Sequence, residues 1–156
     1  LLTFALMPNH IHLILREIIK GGISLFMQRL SGYSRYFNKQ HKRVGALFEQ
    51  RFKAVRIKDD VQLNNTFVYV HTNPIALWES GWKHFEVKDP EGAIQRLGEY
   101  RLSSYNDYIG HAMFPQAVKR DFFLNFYGNE ARCRHAVEDW IRYKGKHADL
   151  GSEIIE

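Results

Sequence analysis

Two small groups of residues have the types and spacing of a reaction centre. His10-Ile11-His12 sets two imidazoles two positions apart. On a strand, side chains alternate, so His10 and His12 share one face while Ile11 turns into the core. Imidazoles so placed can share one metal ion, which then needs another protein ligand or several waters. Two surface histidines beside a turn would give the same spacing. The second group is Tyr69 with Asn73. Four residues apart on a helix, they share a face. Gln62, Asn65 and Thr66 cluster around the same direction, while Leu63, Phe67 and Val70 point away into a core. A tyrosine on that polar stripe is not there to fill the core; an amphipathic tyrosine at its rim is the plain alternative. His71 falls on the opposite side of this helix and reads as a packed or capping histidine.

The elements around these groups follow from periodicity and punctuation. Leu1–Met7 and His10–Arg16 are apolar runs split by Pro8-Asn9, a hairpin or one strand kinked at the proline. After Gly21-Gly22, the residues Ile23, Phe26, Met27, Leu30, Tyr33 and Phe37 recur at helical spacing, with Gln28, Arg35, Lys39 and Lys42 on the opposite face. Phe52–Ile57 alternates like a half-buried strand. Asp59-Asp60 can cap a helix running from about Val61 to Thr72, and Asn73-Pro74 ends it. A short helical piece reaches towards Trp78, and a helical patch lies near Glu91–Leu97. Gln116–Tyr127 and Glu130–Lys144 are amphipathic helix candidates separated by Gly128-Asn129.

Composition bounds the class. The 156 residues suit one ordinary domain, with 45% apolar and 25% charged residues. No apolar run is long enough to span a membrane. Leu1–Met7 lacks the basic leader of a secretory signal. The single cysteine, Cys133, excludes an internal disulfide and a cysteine-type zinc site, and reads as a small buried apolar residue. A reducing, cytoplasmic setting is the expectation. The net charge is +5, and it is unevenly spread. Between Lys20 and Lys58 ten basic residues face one acid, Glu49. Such a stripe suits a polyphosphate backbone, because each contact releases condensed counterions. A solvated basic surface is the simpler account of the same charge.

Met7-Pro8-Asn9-His10-Ile11-His12-Leu13-Ile14 resembles the His–hydrophobic–His (HUH) motif of single-tyrosine transposases. The closer resemblance is to the REP-associated tyrosine transposase group of the IS200-like family. Tyr69-Val70-His71-Thr72-Asn73-Pro74 is similar to its Tyr-x-x-x-Asn-Pro signature, Arg51-Phe52-Lys53 to the intervening strand, and Tyr100–Tyr108 to its Ser-Ser-Tyr segment. The resemblance spans roughly residues 3–110, and its specificity lies in the order and spacing of modest motifs. It implies an α+β fold, an antiparallel sheet with packed helices like the ferredoxin-like HUH nuclease core. The HUH transposase domain would cover residues 1–110, and residues 111–156 would form a C-terminal helical extension. In the family a strand and a helix precede the histidine strand; this sequence starts almost on that strand, without them.

The resemblance also implies a chemistry. A divalent ion, Mg²⁺ or Mn²⁺, held by His10, His12 and Asn73 would polarise a scissile phosphate. Tyr69 would attack phosphorus, keep the 5′ end as a phosphotyrosine and leave a free 3′-OH. A tyrosine near its ordinary pKa of about 10 is mostly protonated at neutral pH, so such a site needs a base or a lowered pKa. The basic stripe, with Arg35, Lys39, Lys42, Arg43, Arg51 and Lys53, would track single-stranded or hairpin DNA. Tyr36 and Phe48 could stack on bases, although core packing suits Phe48 better. Ser103, Ser104 and Tyr105 read either as phosphate contacts or as a turn bonded to itself. The expected function is therefore a DNA transposase, a metal-dependent single-strand endonuclease and strand transferase, monomeric or homodimeric, with no membrane partner. Three rivals are a relaxase or replication initiator of the same chemistry, a domesticated nucleic-acid-binding module without cleavage, and a zinc hydrolase. The last lacks a His-Glu-x-x-His or equivalent.

Overall fold

Pro8-Asn9 turns the N-terminal chain back on itself. In the computed structural model, which describes residues 1–48 and 52–146, β1 (Thr3–Leu6) and β2 (Ile11–Ile14) form an antiparallel hairpin. The Met7 N–H donates to the His10 carbonyl at 2.8 Å and closes the turn. The register pairs Phe4 with Leu13 and Ala5 with His12. His10 thus stands at the mouth of the turn, one residue before β2. The other edge of β1 is met by the segment 102–104, through an Ala5–Ser103 bridge. Leu6 N–H donates to the Leu102 carbonyl at 2.8 Å, and Ser104 N–H to the Phe4 carbonyl at 2.9 Å. No third strand occurs among the described residues. The whole is α+β, with two strands and six helices described.

The chain divides into two units, Leu1–Ile14 with Asp59 onward, and Leu15–Lys58. The second unit contains α1 (Gly22–Gln40), entered through Gly21 at φ +82, a backbone state that glycine reaches without a Cβ clash. Its described side chains are mostly exposed, and Ser34 is the buried residue of the helix. Phe37 packs on His41 at 4.2 Å between ring centroids, and the Asn38 amide donates to the Gly45 carbonyl at 2.6 Å. Residues 52–58 carry no regular structure, and Val55 is 81% exposed. The expected strand over Phe52–Ile57 is therefore not formed. Its alternation is imperfect: one row ends in Arg56 and the other begins with Lys53, so neither face is wholly apolar.

In the first unit, α2 (Asp60–Thr72) starts where Asp59 accepts a hydrogen bond from Gln62 N–H at 2.7 Å. An oxygen there satisfies a free N–H, and the acid of Asp60 suits the positive end of the helix. Pro74 has no N–H to continue the helix, and a 3-10 helix takes over from Asn73 to Leu77. Asp89 caps α3 (Pro90–Glu99) in the same manner, and a single turn, α4 (Tyr105–Tyr108), follows. Helices α5 (Asp121–Tyr127) and α6 (Glu130–Lys146) complete the unit. Helix α6 packs against α2, α3 and α5.

The core lies under α2. Phe67 is fully buried, with ring centroids of His71, Tyr108, Phe123 and Tyr127 between 4.4 and 5.1 Å away. Val70, Val137, Ile141 and Cys133 are buried around it. Tyr108 donates its hydroxyl to the Leu2 carbonyl at 2.6 Å, so the aromatic core also ties down the start of the hairpin. Four buried aromatic contacts on one side chain anchor the helix two residues from Tyr69.

Candidate active site

The side chains singled out by spacing come from two elements that the fold brings together. Ala5 and Thr3 of β1 are buried, while across the hairpin His12 is half-buried and His10 exposed. The two Nε2 atoms converge to 3.0 Å. His10 Nδ1 donates to Asn9 Oδ1 at 2.6 Å, because an amide oxygen can only accept. That bond fixes the tautomer and leaves a lone pair on His10 Nε2, the arrangement a metal-binding histidine uses. Burial and the neighbouring His10 hold the His12 imidazole below its ordinary pKa, and a hydrogen bond with the Asn73 side chain opposes them in part. Neutral imidazoles are the form that binds metal.

Tyr69 stands on the outer face of α2, 55% exposed, with its ring edge-on to His12 at 5.2 Å between centroids. Tyr105 and Tyr108 are buried to within 1% of their surface, and burial pushes both hydroxyls well above their usual range. Neither can reach a substrate. The polar stripe behind Tyr69 forms a shallow open groove lined by Asp59, Gln62, Asn65 and Thr66.

The donor set fits a hard or borderline divalent ion. Two ligand atoms about 2.1 Å from an ion, on adjacent corners of an octahedron, lie about 3.0 Å apart, and the two Nε2 atoms have that spacing. The Asn73 amide meets His12 from the second element. No cluster of three or more His, Cys, Asp or Glu residues exists among the described residues. Among the described residues a zinc hydrolase site is thus unsupported, and the candidate site offers two histidines with the Asn73 amide beside them.

The residues expected to meet DNA belong to the other unit. Arg35, Lys39, Lys42, Arg43 and Lys53 are all exposed; Arg51 lies outside the described residues. Tyr36 is exposed, and so is Phe48, at 41%, contrary to the packing expected for it. Ser103, Ser104 and Tyr105 are buried, so they are not phosphate contacts. The tie between His71 and Ser104, at 2.9 Å, was not legible from spacing, since 33 residues separate the two. The signal present was the type: a histidine on the apolar side of a helix needs a polar partner.

The family model described as transposase IS200 like matches residues 1–73. Over that stretch, just under half of the chain, the protein is similar to IS200-like transposases. The match begins at the hairpin and ends on Asn73, so it contains the two histidines, the tyrosine and the amide together. No curated protein and no solved structure matches the chain. No described helix is long and apolar enough to cross a membrane.

Proposed function

We propose that this protein is a transposase of the IS200 type that cleaves and rejoins single-stranded DNA at hairpin-flanked sites, with Tyr69 as nucleophile. The carrying observation is the edge contact of Tyr69 with His12, whose Nε2 meets that of His10. His10, His12 and Asn73 would hold Mg²⁺ or Mn²⁺, with imidazole favouring manganese. The ion, when bound, supplies a Lewis acid for a phosphoryl oxygen. Tyr69 Oη forms a bond to phosphorus as the bond from phosphorus to the 3′ oxygen breaks. The phenol proton is released and the departing 3′ oxygen ends as a hydroxyl. One phosphoester replaces another, so the energy for rejoining is retained. The exposure of Tyr69 allows a single strand to approach, and the groove of Gln62, Asn65 and Thr66 offers polar groups beside it. Arg35, Lys39, Lys42, Arg43, Arg51 and Lys53 would follow the phosphate backbone. The order of the Tyr-x-x-x-Asn-Pro and Ser-Ser-Tyr segments supports the REP-associated group within the family.

The test is adduct formation. Labelled hairpin-bearing single-stranded DNA from the flanks of the gene is incubated with protein and Mn²⁺ and run on a denaturing gel. Wild type gives a covalent band, and Tyr69→Phe and His10→Ala give none. An adduct with Tyr69→Phe would move the nucleophile elsewhere. Tight, metal-independent binding with no adduct would favour a binding module that has lost cleavage.

A further inference from the structure

The candidate site takes its groups from two elements that meet only through folding. The histidines come from the hairpin, and Tyr69 and Asn73 from α2 and its end. Their mutual geometry depends on what sets the helix against the strands. On the side of α2 away from Tyr69, His71 is fully buried, and its Nε2 lies 2.9 Å from Ser104 Oγ. Ser104 Oγ accepts from Phe4 N–H at 2.9 Å and lies 3.2 Å from the Phe4 carbonyl. With Nε2–H donating and the hydroxyl proton turned to that carbonyl, one donor and two lone pairs of Ser104 are all used. Phe4 pairs with Leu13, the neighbour of His12. The backbone around Ser104 is itself bonded along β1, and Tyr100 donates its hydroxyl to the Leu6 carbonyl. Ser104 therefore hydrogen-bonds both the back of the tyrosine helix and β1, the strand that pairs with the histidine strand.

We propose that His71 and Ser104 form a clasp that fixes the register of α2 against the hairpin. They are positioning residues for the Tyr69–histidine site; this rests on the function proposed above. Apolar packing between helix and strands is non-directional and tolerates small slides. A hydrogen bond between two buried polar groups does not, because a shift leaves both unpaired in a medium that penalises it. The core already holds Phe67 and Val70 on this face of α2, so burial alone did not require a histidine there. Neither clasp residue reaches the open face on which Tyr69 stands.

The experiment uses the whole chain with Ser104→Ala, His71→Ala, His71→Gln, Asn73→Ala and the double variant Ser104→Ala/Asn73→Ala. Mn²⁺ affinity is read without DNA, from the electron paramagnetic resonance of free Mn²⁺. DNA binding is read by fluorescence anisotropy, and adduct formation under single-turnover conditions well below the melting midpoint. Ser104→Ala is expected to leave DNA binding within about twofold and to slow adduct formation about 10- to 100-fold, the scale of a displacement near 1 Å. Its Mn²⁺ affinity falls several-fold, and the double variant binds Mn²⁺ no more weakly than Asn73→Ala alone. His71→Gln, which keeps a polar group on the helix, recovers part of the rate lost in His71→Ala. Additive Mn²⁺ effects, or a wild-type rate per folded molecule in Ser104→Ala, would overturn the clasp. If Ser104→Ala does not fold, Ser104→Cys, near-isosteric with a weaker hydrogen bond, carries the same comparison. A wild type that takes up no Mn²⁺ leaves no site to position, and the proposal falls. An adduct that survives Tyr69→Phe removes the nucleophile reading alone, and the Mn²⁺ comparison still decides the clasp.

Discussion

Acid should unfold this protein through His71 before its carboxylates are exhausted. The side chain is wholly buried among Phe67, Tyr105 and Tyr108, and burial pushes its pKa down to about 3, with the Phe67 backbone opposing weakly. In the unfolded chain the imidazole titrates near its ordinary 6.5. The folded value is the lower one. The neutral ring's contribution is thus fully present above about pH 6.5 and is lost as the pH falls towards 3, because only the unfolded chain takes the proton. Between pH 7 and pH 5 the loss from this one group is about 2 kcal/mol, and near pH 3 it reaches about 4 kcal/mol. The first figure is a sizeable share of the roughly 5–15 kcal/mol that holds a domain together. Urea titrations at pH 7 and pH 5, with chelator present, measure it directly. His71→Gln is less stable at pH 7, yet it should lose about 2 kcal/mol less than wild type on going to pH 5. His12 titrates in both proteins and cancels. If wild type and variant lose equal stability over that interval, the buried neutral histidine is refuted as the acid-sensitive group.

Phe67→Ala empties the middle of four aromatic contacts and should cost about 3–5 kcal/mol, read from the denaturation midpoint; a loss below about 1 kcal/mol would contradict the packing described. Cys133 is buried, and burial pushes its thiol up to about 11. It should resist a thiol reagent at neutral pH in the native protein and react within the mixing time once unfolded; rapid native labelling would contradict this. Lys39→Ala with Lys42→Ala removes two exposed charges of the basic stripe, so the log–log salt slope for single-stranded DNA should flatten by about 1.4. An unchanged slope would take these two lysines off the DNA path.

Much of the candidate site was legible because its spacing obeys local rules. Alternation on a strand and a four-residue step on a helix each hold whatever the rest of the molecule does, and His10, His12, Tyr69 and Asn73 needed only those. Helices α1, α2, α3 and α6 were legible from period and punctuation for the same reason. What local rules do not contain is pairing. Phe52–Ile57 alternates, but a strand exists only when an edge receives it, and the two-strand hairpin spends the free edge of β1 on residues 102–104 instead. Ser104 reads like a loop residue in sequence and is buried because three polar partners from distant positions surround it. Phe48 has the character of a core residue but belongs to the small unit 15–58, which has little interior to bury it in.

The division of the chain has an engineering consequence. Every group of the proposed centre, and both members of the clasp, lies outside residues 15–58. That stretch leaves the first unit at the end of β2 and rejoins it at the cap of α2. It is one continuous stretch, and its two attachment points are places where chain can be exchanged without cutting the hydrogen bonds that assemble the proposed centre. Swapping this cassette between relatives would transplant whatever it binds onto an unchanged proposed centre, so target choice and catalysis could be evolved on separate benches.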